Sequence, residues 1–166
     1  MGSLHCLDVG CAYISIIITD TGDTFFIDCF NIDNYDFFLP QDNKIKAVFI
    51  THQHEDHFSG LEYFIKFDYS IEYLIYSPYE RRHSDSSVTI EEWDTFNEYK
   101  NYFESMGTKC FSPFRQESFD KPWWNTSGIR FEIIGPHKYI ATSDKREIHD
   151  ASLVIKVIWF YVETSG

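Results

Sequence analysis

The sequence predicts an α/β domain, and three observations predict it. Short runs rich in β-branched and aromatic residues recur along the chain, at Tyr13 to Thr19, Lys44 to Ile50, Ile71 to Tyr76 and Ile129 to Ile134. Two capping-box patterns, Ser59 with Glu62 and Thr89 with Glu92, each open a segment whose apolar residues return every three or four positions. Between the first helix and the strand before it lies Thr51-His52-Gln53-His54-Glu55-Asp56-His57, where four of seven residues can bind a transition metal.

Taken in order, Leu4 to Val9, Tyr13 to Thr19 and Thr24 to Ile27 read as strands, the last two forming a hairpin around Asp20-Thr21-Gly22-Asp23. Gly10 permits a turn or bulge between the first two. Asn31 to Asn43 reads as a loop with a short helical turn, stopped at Pro40. After the strand Lys44 to Ile50, a helix over Ser59 to Asp68 buries Leu61, Phe64 and Ile65. The strand Ile71 to Tyr76 ends at Ser77-Pro78, and Glu80 to Ser87 is a polar loop in which Arg81, Arg82 and His83 read as solvated. The helix opened by Thr89 carries Ile90, Trp93, Phe96, Tyr99, Phe103 and Met106 as a packing stripe, and Gly107 closes it. A short strand at Lys109 to Phe111, an irregular stretch from Ser112 to Ser127 and a strand at Ile129 to Ile134 follow. Ala151 to Val162 is the longest apolar run and is expected to be a strand buried on both faces.

The 166 residues amount to one domain, 1–166, with 43% hydrophobic and 19% aromatic residues to build its core. A net charge of -12 argues against a broad basic surface for polyanions in this part of the chain, so a nucleic-acid substrate would have to be held through metals or another segment. Cys6, Cys11, Cys29 and Cys110 show no CxxC spacing and read as reduced core thiols. The longest apolar run near the start, Ile14 to Ile18, is too short to span a bilayer and lacks the basic flank of a signal peptide, so the chain is expected to be cytoplasmic.

His52 and His54 are two residues apart, so in an extended segment their rings leave one side and can close on one ion. Asp56 and His57 are adjacent and suit a second ion better. Imidazole with carboxylate fits zinc, with manganese or iron as alternatives, and paired metals suit hydrolysis. A polar loop of solvated histidines is the competing reading.

His52-x-His54-x-Asp56-His57 resembles the HxHxDH signature of the metallo-β-lactamase superfamily, and Ser59-Gly60-Leu61 resembles its Gly-Leu opening of the next helix. The resemblance implies the N-terminal portion of an αββα sandwich, a mixed sheet with outer helices. It places Asp28 at the strand end that braces the metal loop from behind without touching the ion. Asp8-Val9-Gly10 and Ser152-Leu153-Val154 resemble the ComEC-type competence-protein branch, with His149 where that branch has Asn. In many superfamily members a histidine stands a few residues ahead of such a Ser-Leu strand start, so His149 is the expected third ligand beside His52 and His54, and His137 is a weaker rival.

The activity implied is hydrolysis in which a metal-bound hydroxide attacks, with two zinc ions in the intact domain and Asp56 orienting the water. The ComEC-type likeness points to a phosphodiester, including single-stranded DNA. The acidic composition points instead to a small ester, thioester or lactone. A non-catalytic metal-stabilised or vestigial interaction module is the third reading. By resemblance, a strand ending in Gly-Asp and a later histidine should follow Gly166, so the domain is expected to be C-terminally incomplete and the fragment inactive alone.

Overall fold

The computed structural model describes residues 2–10 and 12–160, which stack as helices on a six-stranded sheet and that sheet on a three-stranded one. In the larger sheet β1 (Ser3–Asp8), β2 (Tyr13–Ile18) and β3 (Thr24–Ile27) form an antiparallel meander. From β3 the pairing turns parallel through β4 (Lys44–Ile50), β5 (Ser70–Tyr76) and β6 (Lys109–Phe111). Parallel neighbours need crossovers, and these are helical. A 3-10 turn, Ile32–Phe38, precedes β4; α1 (Glu55–Phe58) and α2 (Gly60–Lys66) lead to β5, and α3 (Ile90–Ser105) leads to β6. The smaller sheet is antiparallel, β7 (Asn125–Thr126), β8 (Ile129–Gly135) and β9 (Val154–Trp159), with a single helical turn, α4 (Lys138–Ala141), after β8.

Side-chain alternation along the central strands decides which layer each residue meets. Phe26, Val48, Ile50 and Leu74 face the helices, against Phe58, Leu61, Phe64, Phe96 and Phe103. Their neighbours Phe25, Ala47, Phe49, Tyr73 and Ile75 face the second sheet, against Trp123, Phe131 and Ile133. Phe49 is fully buried, with ring centroids 4.8 Å from Phe131 and 5.8 Å from Trp123. The mixed sheet with helices on its outer face thus follows from β4 and β5 being apolar on both faces over residues 47–50 and 73–76.

Four expectations are corrected. The Ser59 capping box does not form: the chain is already helical at Glu55, Ser59 has αR angles, and its backbone N–H donates to Glu55 O at 3.0 Å. The Thr89 box does form, with Glu92 N donating to Thr89 Oγ1 at 3.1 Å and Thr89 N donating to Glu92 Oε2 at 3.1 Å. The run from Ala151 is not one long doubly buried strand. Its first residue belongs to a 3-10 turn, Ile148–Ala151, and β9 then packs Ile155, Val157 and Trp159 inward while Val154 and Lys156 face outward; the stretch from Tyr161 lies outside the described residues. Cys6 is exposed and Cys110 half-buried, so of the three described thiols only Cys29 is in the core, and Cys11 lies outside the described residues. Arg81 and Arg82 are not solvated: Arg81 donates to Val88 O at 3.2 Å and Asp85 O at 3.1 Å, and Arg82 reaches across to Asp144 O and to Arg146 O at 2.8 Å.

Among the described residues no helix is long and apolar enough to cross a membrane.

Candidate metal centre

Three parallel strands end side by side, and the residue after each end builds the site, as expected where a parallel sheet presents its carboxyl edge. Asp28 follows β3, Thr51 follows β4 and Ser77 follows β5. The ladder runs one step further, through Asp28 N to Phe49 O at 2.8 Å and Ser77 N to Ile50 O at 3.1 Å. Leu153 N donates to Thr51 O at 2.8 Å, and Ser77 Oγ donates to Ala151 O at 2.7 Å. These two bonds bring the 3-10 turn that carries His149 over the loop that carries His52 and His54.

The result is a cluster of imidazoles. His52, His54 and His149 each offer a ring nitrogen, and these atoms all lie within 4.8 Å of one another. Ring centroids are 5.0 Å apart for His52 and His54, 4.8 Å for His52 and His149, and 4.9 Å for His54 and His149. His57 stacks behind His52 at 3.8 Å, and its Nε2 lies 3.7 Å from Asp56 Oδ1. His57 and Asp56 both ride on α1, so the adjacent pair shares one side of the cluster.

The hydrogen bonds set which nitrogen each ring has free. His54 Nε2 donates to Ser87 O at 2.6 Å, leaving Nδ1. His57 Nδ1 donates to Asp28 Oδ2 at 2.8 Å, leaving Nε2. His52 Nε2 is buried and has no hydrogen-bond partner, a state that costs about 1–3 kcal/mol for a polar atom unless something else satisfies it. Burial, with His57, His54 and His149 alongside, lowers the His52 pKa to about 3, so its ring is neutral and its lone pair available. His57 goes the other way: burial lowers it, but the hydrogen bond to Asp28 and the charges of Asp28 and Asp56 outweigh that and raise it. A buried nitrogen without a partner, on a ring packed beside two more imidazoles, fits a divalent metal ion.

Asp28 is the brace. It is 4% exposed and accepts from Thr51 N and Thr51 Oγ1, both at 2.7 Å, as well as from His57. Its φ of 57° is left-handed, which Asp tolerates better than most residues. Cys29 beside it is fully buried, and burial with the Asp28 charge pushes its thiol up, so it is no nucleophile here. Its N–H donates to His57 O at 2.9 Å and so ties α1 to the end of β3.

His137 is not in the cluster; its Nε2 meets Arg115 Nη1 at 2.5 Å. His5 packs on Phe38, with centroids 4.3 Å apart, and His83 is an exposed loop residue. Gly10, at φ 98°, makes a turn in which its N–H donates to Asp8 Oδ1 at 3.0 Å. Gln53 and Ser87 are site-building residues that the sequence does not advertise. Gln53, fully buried between the two histidines, donates to Ser77 O at 2.8 Å, and nothing in its spacing marks it.

No curated protein matches this sequence. The model of the metallo-beta-lactamase superfamily matches residues 11–94, just over half the chain, from just before β2 into the first turn of α3. That span holds Asp28, His52, His54, Asp56 and His57, and the fold adds His149 from outside it. The chain belongs to the metallo-beta-lactamase superfamily, whose members are typically metal-dependent hydrolases.

Proposed function

We propose that this protein is a zinc-dependent hydrolase of phosphodiesters, and the observation that carries the metal dependence is the buried, partnerless Nε2 of His52 facing His54 and His149. His52 through Nε2, His54 through Nδ1 and His149 would hold one ion, and Asp56 and the Nε2 of His57 would hold a second. A divalent ion held there would supply Lewis acidity and a more acidic water for the attack. Asp56, with one-third of its side chain exposed, orients the attacking water and takes its proton at the carboxylate. Asp28 keeps His57 in the Nδ1–H tautomer and Thr51 in place.

Two features support a phosphodiester over a lactone or thioester. One is the ComEC-type likeness of Asp8-Val9-Gly10 and Ser152-Leu153-Val154. The other is a cleft of about 450 Å³ that runs from His149 between the 82–87 and 144–147 segments and places Arg82, Lys145 and Arg146 on its walls, along with Asp85, Asp144 and Glu147. With three cations against three carboxylates the cleft is balanced in formal charge where the chain as a whole carries -12, which makes it more receptive to an anionic substrate than the net charge suggests.

The test is hydrolysis of bis(p-nitrophenyl) phosphate and of single-stranded DNA by the zinc-loaded protein, beside a panel of lactones and thioesters. Phosphodiester turnover that His57→Ala abolishes without loss of fold is the expected result. Lactone or thioester turnover without phosphodiester turnover assigns the small-ester reading. Tight zinc with no turnover of any of them assigns a metal-stabilised interaction module.

A further inference from the structure

His54 and His149 are far apart in sequence and meet in space, and one residue touches the support of both. Ser87 O accepts the His54 Nε2–H at 2.6 Å, and Ser87 Oγ accepts the N–H of Ile148, the residue before His149, at 2.9 Å. We propose that Ser87 is the positioning residue that pre-assembles the three-histidine cluster, fixing the tautomer of His54 with its carbonyl and the turn of His149 with its hydroxyl. The inference rests on the metal-site reading above and adds to it the device that holds the site open for an ion.

The direction of each bond follows from what the partners can do. A carbonyl only accepts, so His54 Nε2 carries the proton and Nδ1 keeps its lone pair toward the cluster. A carboxylate also only accepts, so the Ser87 hydroxyl and backbone N–H both donate to Asp85 Oδ1, at 2.7 and 2.9 Å. The hydroxyl lone pairs are thereby turned to Ile148 N–H. Asp85 is fixed in turn by the Tyr79 hydroxyl on Oδ2. The surrounding loop is clasped to the His149 side by guanidinium bonds: Arg82 to Arg146 O at 2.8 Å and Arg146 to Glu80 O at 2.9 Å. Ile148 is fully buried, so in the folded protein the serine hydroxyl shields its N–H from bulk water.

The experiment has two arms. In the metal-free wild-type protein, long-range ¹H–¹⁵N correlations read the His54 tautomer, and amide exchange reads Ile148. The expected result is Nε2–H at His54 and a protected Ile148 amide that exchanges at least about 10-fold faster in Ser87→Ala. In the second arm Co²⁺ is titrated by its visible spectrum: S87A should bind about 10- to 100-fold more weakly, and S87T, which keeps the hydroxyl, should recover to within about threefold. An Nδ1–H tautomer at His54, or Co²⁺ affinity in folded S87A within about twofold of wild type, overturns the proposal. If wild type takes up no Co²⁺, the metal reading falls, and the tautomer and the Ile148 amide still decide whether Ser87 organises the cluster. The tautomer is read in wild type, so the test stands even where S87A does not fold.

Discussion

Gly60 approaches Cys29 so closely that a Cβ on it would lie 1.8 Å from the Cys29 carbonyl oxygen. The contact is backbone to backbone, so no rotamer relieves it, and it sits where α2 crosses the end of β3, one residue from Asp28. Gly60→Ala should therefore cost about 3 kcal/mol by overpacking, and part of the damage should appear at His57, whose carbonyl is held by Cys29 N–H. Urea unfolding of G60A measures the first; a near-wild-type midpoint contradicts it.

Zinc should bind in two classes. The three-imidazole site retains one equivalent through dialysis, and a second equivalent, held among the described residues by Asp56 and His57, binds at least about 10-fold more weakly. At free zinc about 100 times the tighter Kd, stability rises by about 2.7 kcal/mol, which corresponds to a Tm increase of about 5–10 °C. Chelator reverses the shift, and His52→Ala and His149→Ala remove it. Elemental analysis with thermal melts measures both.

Replacing Asp28 separates bracing from ligation. Asp28→Asn tolerates the left-handed backbone and keeps one acceptor, yet loses the carboxylate that takes hydrogen bonds from Thr51 and His57. We expect about 1–3 kcal/mol of destabilisation and a loss of about 10- to 100-fold in affinity for the weaker zinc. Isothermal titration resolves the two sites, and an unchanged weaker site removes the brace from the account.

Acid should weaken the loop that holds Ser87. Burial pushes the Asp85 carboxyl up, but the hydrogen bonds from Tyr79 and Ser87 outweigh burial and hold it below its ordinary value of 3.8. A carboxyl lowered in the folded state contributes stability that is present above 3.8 and is lost as pH falls through the lower folded value. Asp85→Asn should flatten the stability profile below about pH 4 and leave its slope near neutrality unchanged, as followed by urea midpoints across that range.

Most of the strands and α3 were legible because their signals are local: β-branched runs over Lys44 to Ile50 and a capping box at Thr89 act within a few residues, whereas the two-residue β7, Asn125–Thr126, lies in a stretch read as irregular. His52 and His54 were legible for the same reason, standing in one short motif with Asp56 and His57. Ser59 misled because its backbone is αR, continuing the turn from Glu55, and the Glu62 N–H that its hydroxyl would cap donates instead to Ser59 O at 3.0 Å. Val154 to Trp159 misled because an apolar run does not say which face is covered. Ser87 and Gln53 were invisible because their roles depend on strands and turns meeting from distant parts of the chain.

The cluster joins His54 to His149, so its closure encircles 94 intervening residues. A ring of that length forms only after β5, α3 and the second sheet have docked, since loop-closure entropy opposes any earlier meeting of its ends. An ion held by all three imidazoles should therefore act late on the folding route, after most of the sheet has formed. Metal should slow the escape from the native state and leave the rate of reaching it nearly unchanged, so that in the cell a bound ion prolongs the lifetime of the finished fold without guiding its formation.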